Sequence, residues 1–187
     1  MAERVCPVWI GYFLASPLRK LIQNPEKILS PHIKEGMTVL DIGCAMGFFS
    51  LPLANMVGPS GKVICVDLQE KMLSSLEKRA KKAGLIDRIE MRLCKENSLE
   101  LTGLDARIDF ALASAVVHEV PDNAGFFSQL QKSLKPGSEL LMIEPKGHVS
   151  PEGLRTSIAN AEKNNFEVIS RDQNKKTYTF LMRKQAK

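Results

Sequence analysis

Aromatic rings, paired cysteines, long apolar runs and a dominant charge are all scarce in this chain, and each scarcity removes a class of protein. Aromatic residues make up 6% of the sequence and do not interleave with the basic ones. That argues against a surface on which nucleic-acid bases stack. The net charge of +5 comes from scattered lysines, with clusters at 78–82 and 175–176. These read as solvated faces, so no nucleic-acid partner is expected. The four cysteines, Cys6, Cys44, Cys65 and Cys94, form no C-x-x-C pair and have no histidines at ligand spacing, so no metal site is expected. Free thiols in apolar, strand-like runs fit a reducing compartment, and the expected location is cytoplasmic. No apolar run reaches the length that spans a bilayer. Residues 5–15 imitate the apolar part of a signal peptide, but Pro7 and Gly11 interrupt them and Glu3 offsets Arg4. At 187 residues, with 44% hydrophobic and 25% charged content, the chain reads as one domain whose core needs neither disulfides nor metal.

What is present centres on Val39-Leu40-Asp41-Ile42-Gly43-Cys44-Ala45-Met46-Gly47-Phe48-Phe49-Ser50. An apolar run closes on Asp41, Gly43 and Gly47 let the backbone bend tightly, and helical patterning resumes at Phe48. A strand, turn and helix in this order aim backbone N–H groups into one crevice, a place for a polar, nucleotide-like ligand. The dinucleotide fingerprint G-x-G-x-x-G is not met, because Ala45 stands at its second glycine and the spacing is G-x-x-x-G. A nicotinamide-dependent oxidoreductase is disfavoured on that ground.

The remaining chain alternates strands and helices. Residues 1–24 are apolar and aromatic beyond what their length needs (Val8, Trp9, Ile10, Tyr12, Phe13, Leu14) and are expected to form an arm or lid. A foot on a membrane surface is the competing reading, and it leaves peripheral membrane contact open. Asn24-Pro25-Glu26 starts a short helix that Pro31 ends. Helices are expected over 48–57 and 69–83, the second capped by Gly84, then from Pro121-Asp122 to a stop at Lys135-Pro136-Gly137, and after Ser150-Pro151-Glu152. Strands are expected at 62–67, 88–94, 107–113, 139–143, 166–169 and 177–182. The fold class is therefore α/β, a doubly wound, mostly parallel sheet covered on both faces. The last two strands have no helix between them and are expected to close as an antiparallel hairpin. Asp67 ends the second strand 24 residues after Gly43. A carboxylate there can accept two hydrogen bonds from vicinal ribose hydroxyls.

Asp41-Ile42-Gly43-Cys44-Ala45-Met46-Gly47 resembles motif I of class I S-adenosylmethionine (SAM)-dependent methyltransferases, D-x-G-x-G-x-G, departing only at Ala45. Other stretches resemble that family in the same order: 63–68, 109–122 (DFALASAVVHEVPD) and Leu134-Lys135-Pro136-Gly137. The resemblance covers residues 25–187, taken as the SAM-binding domain. It implies a seven-stranded sheet with the last strand antiparallel.

The same resemblance implies roles for individual residues. Gly43, Cys44 and Gly47 would run along the methionine part of SAM, with Asp41 near its amino group. Asp67 would hold the ribose and Leu68 would cover one adenine face. Where the family often has a carboxylate for the adenine amino group, this chain has Lys95, so Glu96 or Asn97 would have to substitute. Ser114 would lie beneath the methionine portion. Ala45 is expected to shift or weaken binding without abolishing it, since the positions needing extreme backbone freedom flank it.

Chemistry is expected outside the carboxyl ends of strands four and five, where His118, Glu119, Glu144, Lys146 and His148 gather. His118, Glu119 and Glu144 are the catalytic candidates. His118 is tuned to act as a base near neutral pH or to orient its segment, and each glutamate has a helix-cap or salt-bridge role as its alternative. The expected reaction is in-line methyl transfer from SAM, giving S-adenosylhomocysteine, to a small or medium, partly apolar acceptor. A methyltransferase-fold protein that binds either nucleoside without catalysis, acting as a partner or regulatory module, is the alternative. An arsenite-type enzyme ranks low, because the thiols sit on different strands. Acceptor and oligomeric state are left open.

Overall fold

The computed structural model describes residues 23–186. The apolar arm expected over 1–24 lies almost wholly outside them. The described chain runs α1 (Pro25–Leu29), β1 (Thr38–Ile42), α2 (Ser50–Met56), β2 (Lys62–Asp67), α3 (Glu70–Lys82), β3 (Ile89–Leu93), β4 (Ile108–Ser114), α4 (Asn123–Ser133), β5 (Leu134–Pro145), α5 (Pro151–Lys163), β6 (Phe166–Gln173) and β7 (Thr177–Lys184). The strands form one seven-stranded sheet ordered β3-β2-β1-β4-β5-β7-β6. β1, β2 and β3 pair in parallel, as do β4 and β5, whereas β7 is antiparallel to both β5 and β6. The chain divides into two compact units at Cys94 and Lys95.

In the first unit, β2 is buried from Val63 to Asp67, as a parallel strand covered on both faces must be. Helix α3 turns Met72, Leu73, Leu76 and Ala80 inward. It ends where Gly84, at φ +69°, lets the Gly84 and Leu85 N–H groups bond back to Lys81 and Ala80. That is the left-handed helix stop that glycine makes inexpensive.

In the second unit, α4 is capped by Asp122, whose Oδ1 accepts from Gly125 N–H at 2.9 Å. Helix α5 is capped in the same way by Ser150, with Gly153 N–H at 3.0 Å. Phe126, Phe127 and Leu130 bury the inner face of α4. The buried Lys184 ammonium donates to the carbonyls of Gln131 and Leu134, satisfying the carbonyl end of that helix.

Two expectations need correcting. Lys135-Pro136-Gly137 does not separate α4 from β5, because the strand begins at Leu134. Its register against β4 jumps from Ile108↔Leu134 to Phe110↔Glu139. The intervening residues bulge out, since Pro136 has no N–H for the ladder and Gly137 sits at φ +78°. In addition, β6 and β7 extend beyond 166–169 and 177–182. The added residues of β6 are exposed and polar, so their pairing leaves no mark in the hydropathy pattern.

Candidate functional site

In the first unit, the turn after β1 is fastened to β2 by the N–H groups of Gly43 and Cys44, which both reach the Val66 carbonyl (2.9 and 3.1 Å). Three alternate residues have left-handed backbone: Gly43 (φ +66°), Ala45 (+46°) and Gly47 (+84°). The strain is thus not confined to the flanking glycines, as the sequence implied. Ala45 itself carries it, at a cost of about 1–2 kcal/mol for an L-residue with a Cβ. A Cβ at Gly47 would come 2.4 Å from Leu76 Cδ1, so α3 packs directly on the turn. Arg79, also from α3, donates to the Met46 carbonyl.

Asp67 stands at the end of β2 and is 8% exposed. Its Oδ2 accepts from Ala45 N–H and its Oδ1 from Gln69 N–H, both at 2.9 Å. Burial raises its pKa above the ordinary carboxylate value, while the N–H groups of Gln69, Ala45 and Leu68 oppose that rise. Each oxygen keeps a further lone pair for a ligand hydroxyl. Asp41 lies deeper, 2% exposed, and its Oδ2 accepts from the Ser50 hydroxyl at 2.6 Å. Burial pushes its carboxyl up to about 7; the Ser50 bond opposes this and the nearby Asp67 adds to it. The Cys44 thiol is buried and pushed up, first by desolvation and then by its contact with Cys65. Leu68 is 37% exposed and Leu93, paired in register with Asp67, is 51% exposed. They leave two apolar side chains bare at adjacent strand ends.

The second unit holds the other candidates. Glu96 and Asn97 are exposed in a tight turn closed by reciprocal backbone bonds between Lys95 and Ser98 (2.8 and 3.1 Å). The Asn97 carbonyl accepts from Gln129 Nε2, and the Lys95 ammonium is 3.3 Å from Glu100. Ser114 ends β4 half-buried and is followed by Ala115 at φ +57°.

Next comes a short turn, Val117–Glu119. Here Glu144, 1% exposed near the end of β5, takes the N–H groups of Val116 and Val117 on Oε1 (3.2 and 3.0 Å). Its Oε2 meets His118 Nδ1 at 2.5 Å. The Glu144 hydrogen bond raises the His118 pKa above its ordinary value, against the opposing effect of burial. Glu119 Oε1 is 4.0 Å from His118 Nε2, and the exposed His148 ring lies edge-on to His118 with centroids 5.6 Å apart. Lys146 turns elsewhere, its ammonium bonding Gln173 and lying over the Tyr178 ring.

Sequence reasoning missed Ser50, Arg79 and Leu93. Nothing in the spacing announces the first two, since their partners are set by tertiary packing. Leu93 could have been found by pairing the end of the third strand against Asp67.

The strand order, with β7 antiparallel, and the glycine-rich turn after β1 define a class I methyltransferase fold. The profile of the methyltransferase domain family matches residues 33–185, and the chain belongs to that family. It is similar to a SAM-dependent methyltransferase from Aquifex aeolicus, with a TM-score of 0.85 and 27% identity over 96% of this chain and 100% of that one. A demethylmenaquinone methyltransferase of Bacillus velezensis is 29% identical over 113 residues, 60% of this chain and 47% of that protein. The chain thus spans about half the length of the curated relatives it matches. The [4+2]-cyclase SpnF shares the fold (TM-score 0.72, 15% identity, 87% of this chain and 81% of that one). Among the described residues no helix is long and apolar enough to cross a membrane.

Proposed function

We propose that this chain binds SAM and transfers its methyl group to a small or medium, partly apolar acceptor. The observation that carries the reading is Asp67, a carboxyl held at the end of β2 by the N–H groups of Ala45 and Gln69. In that position it offers its remaining lone pairs to a pair of ribose hydroxyls. Gly43, Cys44 and Gly47 would follow the methionine portion, with Asp41 nearby. In the first unit Leu68 and Leu93 would supply apolar surface for adenine; parts for Ser114 and for Glu96 or Asn97 rest on the family resemblance alone. When bound, SAM supplies an electrophilic methyl group on a sulfonium whose sulfur leaves as a neutral thioether. The protein's part is alignment, which can contribute roughly 7–11 kcal/mol. The demethylmenaquinone methyltransferases among the relatives support a quinone-like or aromatic acceptor.

Calorimetry with SAM and S-adenosylhomocysteine is the test. Both should bind the wild type, and Asp67→Ala should lose most of the affinity. Binding of neither at millimolar concentration overturns the reading. A second reading, binding without transfer, is kept by Ala45, whose strained backbone lies where the family motif has glycine, and by Lys95, where the family often has a carboxylate. Turnover to S-adenosylhomocysteine in the presence of any acceptor disposes of it.

A further inference from the structure

We infer that His118 and Glu144 form a proton-accepting dyad, and that the acceptor it serves bears a weakly acidic hydroxyl. The inference rests on the methyl-transfer reading and adds to it what the acceptor must lose.

Glu144 fixes which nitrogen of His118 is the base. With Oε1 already receiving two backbone N–H groups and Oε2 at 2.5 Å from Nδ1, the carboxyl holds the ring proton on Nδ1. In the neutral ring the Nε2 lone pair is then the accepting one. The carboxyl is 1% exposed and cannot swing away. The His118 side chain keeps 11% exposure, so the ring is held firmly yet not sealed. Beside its bond to the ring, Glu144 ties the segment to β5 by two backbone N–H groups that do not involve the imidazole.

Among the described residues, the carboxylates facing the ring, Glu144 and Glu119, favour the protonated product, while His148 meets it only edge-on. Glu144 comes from β5, Glu119 from the ring's own turn, and His148 from the segment after β5. The two helices flanking the turn offer uncharged groups: Asn123 of α4 bonds the Val117 carbonyl and Ser157 of α5, and Asn160 bonds Asn123. Glu119 Oε1 at 4.0 Å from Nε2 is too far to block that nitrogen by hydrogen bonding but near enough to stabilise an imidazolium. The pair also sits just past the carboxyl ends of β4 and β5, the side on which open parallel sheets take their ligands.

In the step, the acceptor hydroxyl gives its proton to Nε2 and the freed oxygen pair forms the bond to the methyl carbon as sulfur keeps the pair of the broken S–C bond. In a conjugated ring the same pair can emerge at the neighbouring carbon, whose own proton then returns to the oxygen. Either way one proton is left on His118 for each methyl moved.

The test combines 15N NMR of histidine-labelled protein with kinetics, using 1,4-naphthohydroquinone (held reduced) and catechol as probes with radiolabelled SAM. In the wild type, neutral His118 should carry its proton on Nδ1, and kcat should rise with pH through the His118 titration. Glu144→Gln keeps an oxygen for the two backbone N–H groups but turns an amide N–H toward Nδ1. It should move the ring proton to Nε2 and lower kcat by about 10²-fold or more, with SAM affinity unchanged. His118→Asn should erase the pH-dependent limb. The inference is overturned by a wild-type proton on Nε2, by an unchanged limb in His118→Asn, or by SAM binding with transfer to neither hydroxyl probe. Failure to bind SAM at all instead defeats the methyl-transfer reading, and this one with it.

Discussion

The turn after β1 and the segment after β4 hold polar groups at strand ends by different means. The first is made of backbone: three left-handed residues and two N–H groups fastened to Val66, with Asp67 drawn onto the turn by Ala45. The second is made of side chains: one buried carboxyl, Glu144, gathers two backbone N–H groups and an imidazole from residues 26 to 28 positions away. A backbone device is sensitive to a single methyl group. A side-chain device is sensitive to the loss of one acceptor. The difference can be pressed experimentally.

The largest effect is expected in the second unit. Glu144→Ala leaves the Val116 and Val117 N–H groups and His118 without their acceptor, and should cost about 3–4 kcal/mol in chemical denaturation. A loss under about 1 kcal/mol would mean that water replaces the carboxyl and that the segment is not built around it. Next, Gly47→Ala places a Cβ 2.4 Å from Leu76 Cδ1 at φ +84°. It should destabilise by about 2–3 kcal/mol and weaken SAM binding in calorimetry.

A pH series sharpens the contrast further. The Asp41 carboxyl is held up to about 7 from 3.8, so between those values the folded chain keeps a proton that the unfolded chain has released. Its contribution to stability is therefore full below about pH 4 and declines as pH rises through about 7. Asp41→Asn keeps an oxygen for Ser50 and removes that decline. Unfolding free energies of the two proteins from urea titrations should diverge by about 1–3 kcal/mol between the ends of that window, and parallel curves would reject the linkage. The smallest effect is at Ala45. Glycine there relieves left-handed strain but adds freedom to the unfolded chain, for a net gain of about 0.5–1 kcal/mol, read as a raised Tm.

The same contrast explains what could be read beforehand. The β1 turn, the acid at the end of β2, the capped helices and the alternation of strands were legible because each is written in neighbouring residues: Asp41 to Gly47, Pro121-Asp122, Ser150-Pro151-Glu152. The partnership of His118 with Glu144 was not, since both were visible as polar residues past strand ends but nothing in their spacing says that one orients the other. Ser50 under Asp41 and Arg79 on Met46 were hidden for the same reason. At β5 a local rule pointed the wrong way. Pro136-Gly137 has the composition of a chain reversal, yet pairing of Leu134 with Ile108 holds the strand on both sides of it. The strained Ala45 was hidden too, because alanine announces no left-handed backbone.

Asp67 has one more consequence. With each oxygen already anchored to a main-chain amide, the carboxyl has almost no rotational freedom left to surrender when a sugar arrives. Its ordering was completed when the chain folded, so a nucleoside bound as proposed would meet a rigid acceptor pair from the first encounter. Discrimination between a vicinal diol and a deoxy-sugar should therefore be steep, because a rigid receptor cannot shift to recover a missing hydroxyl.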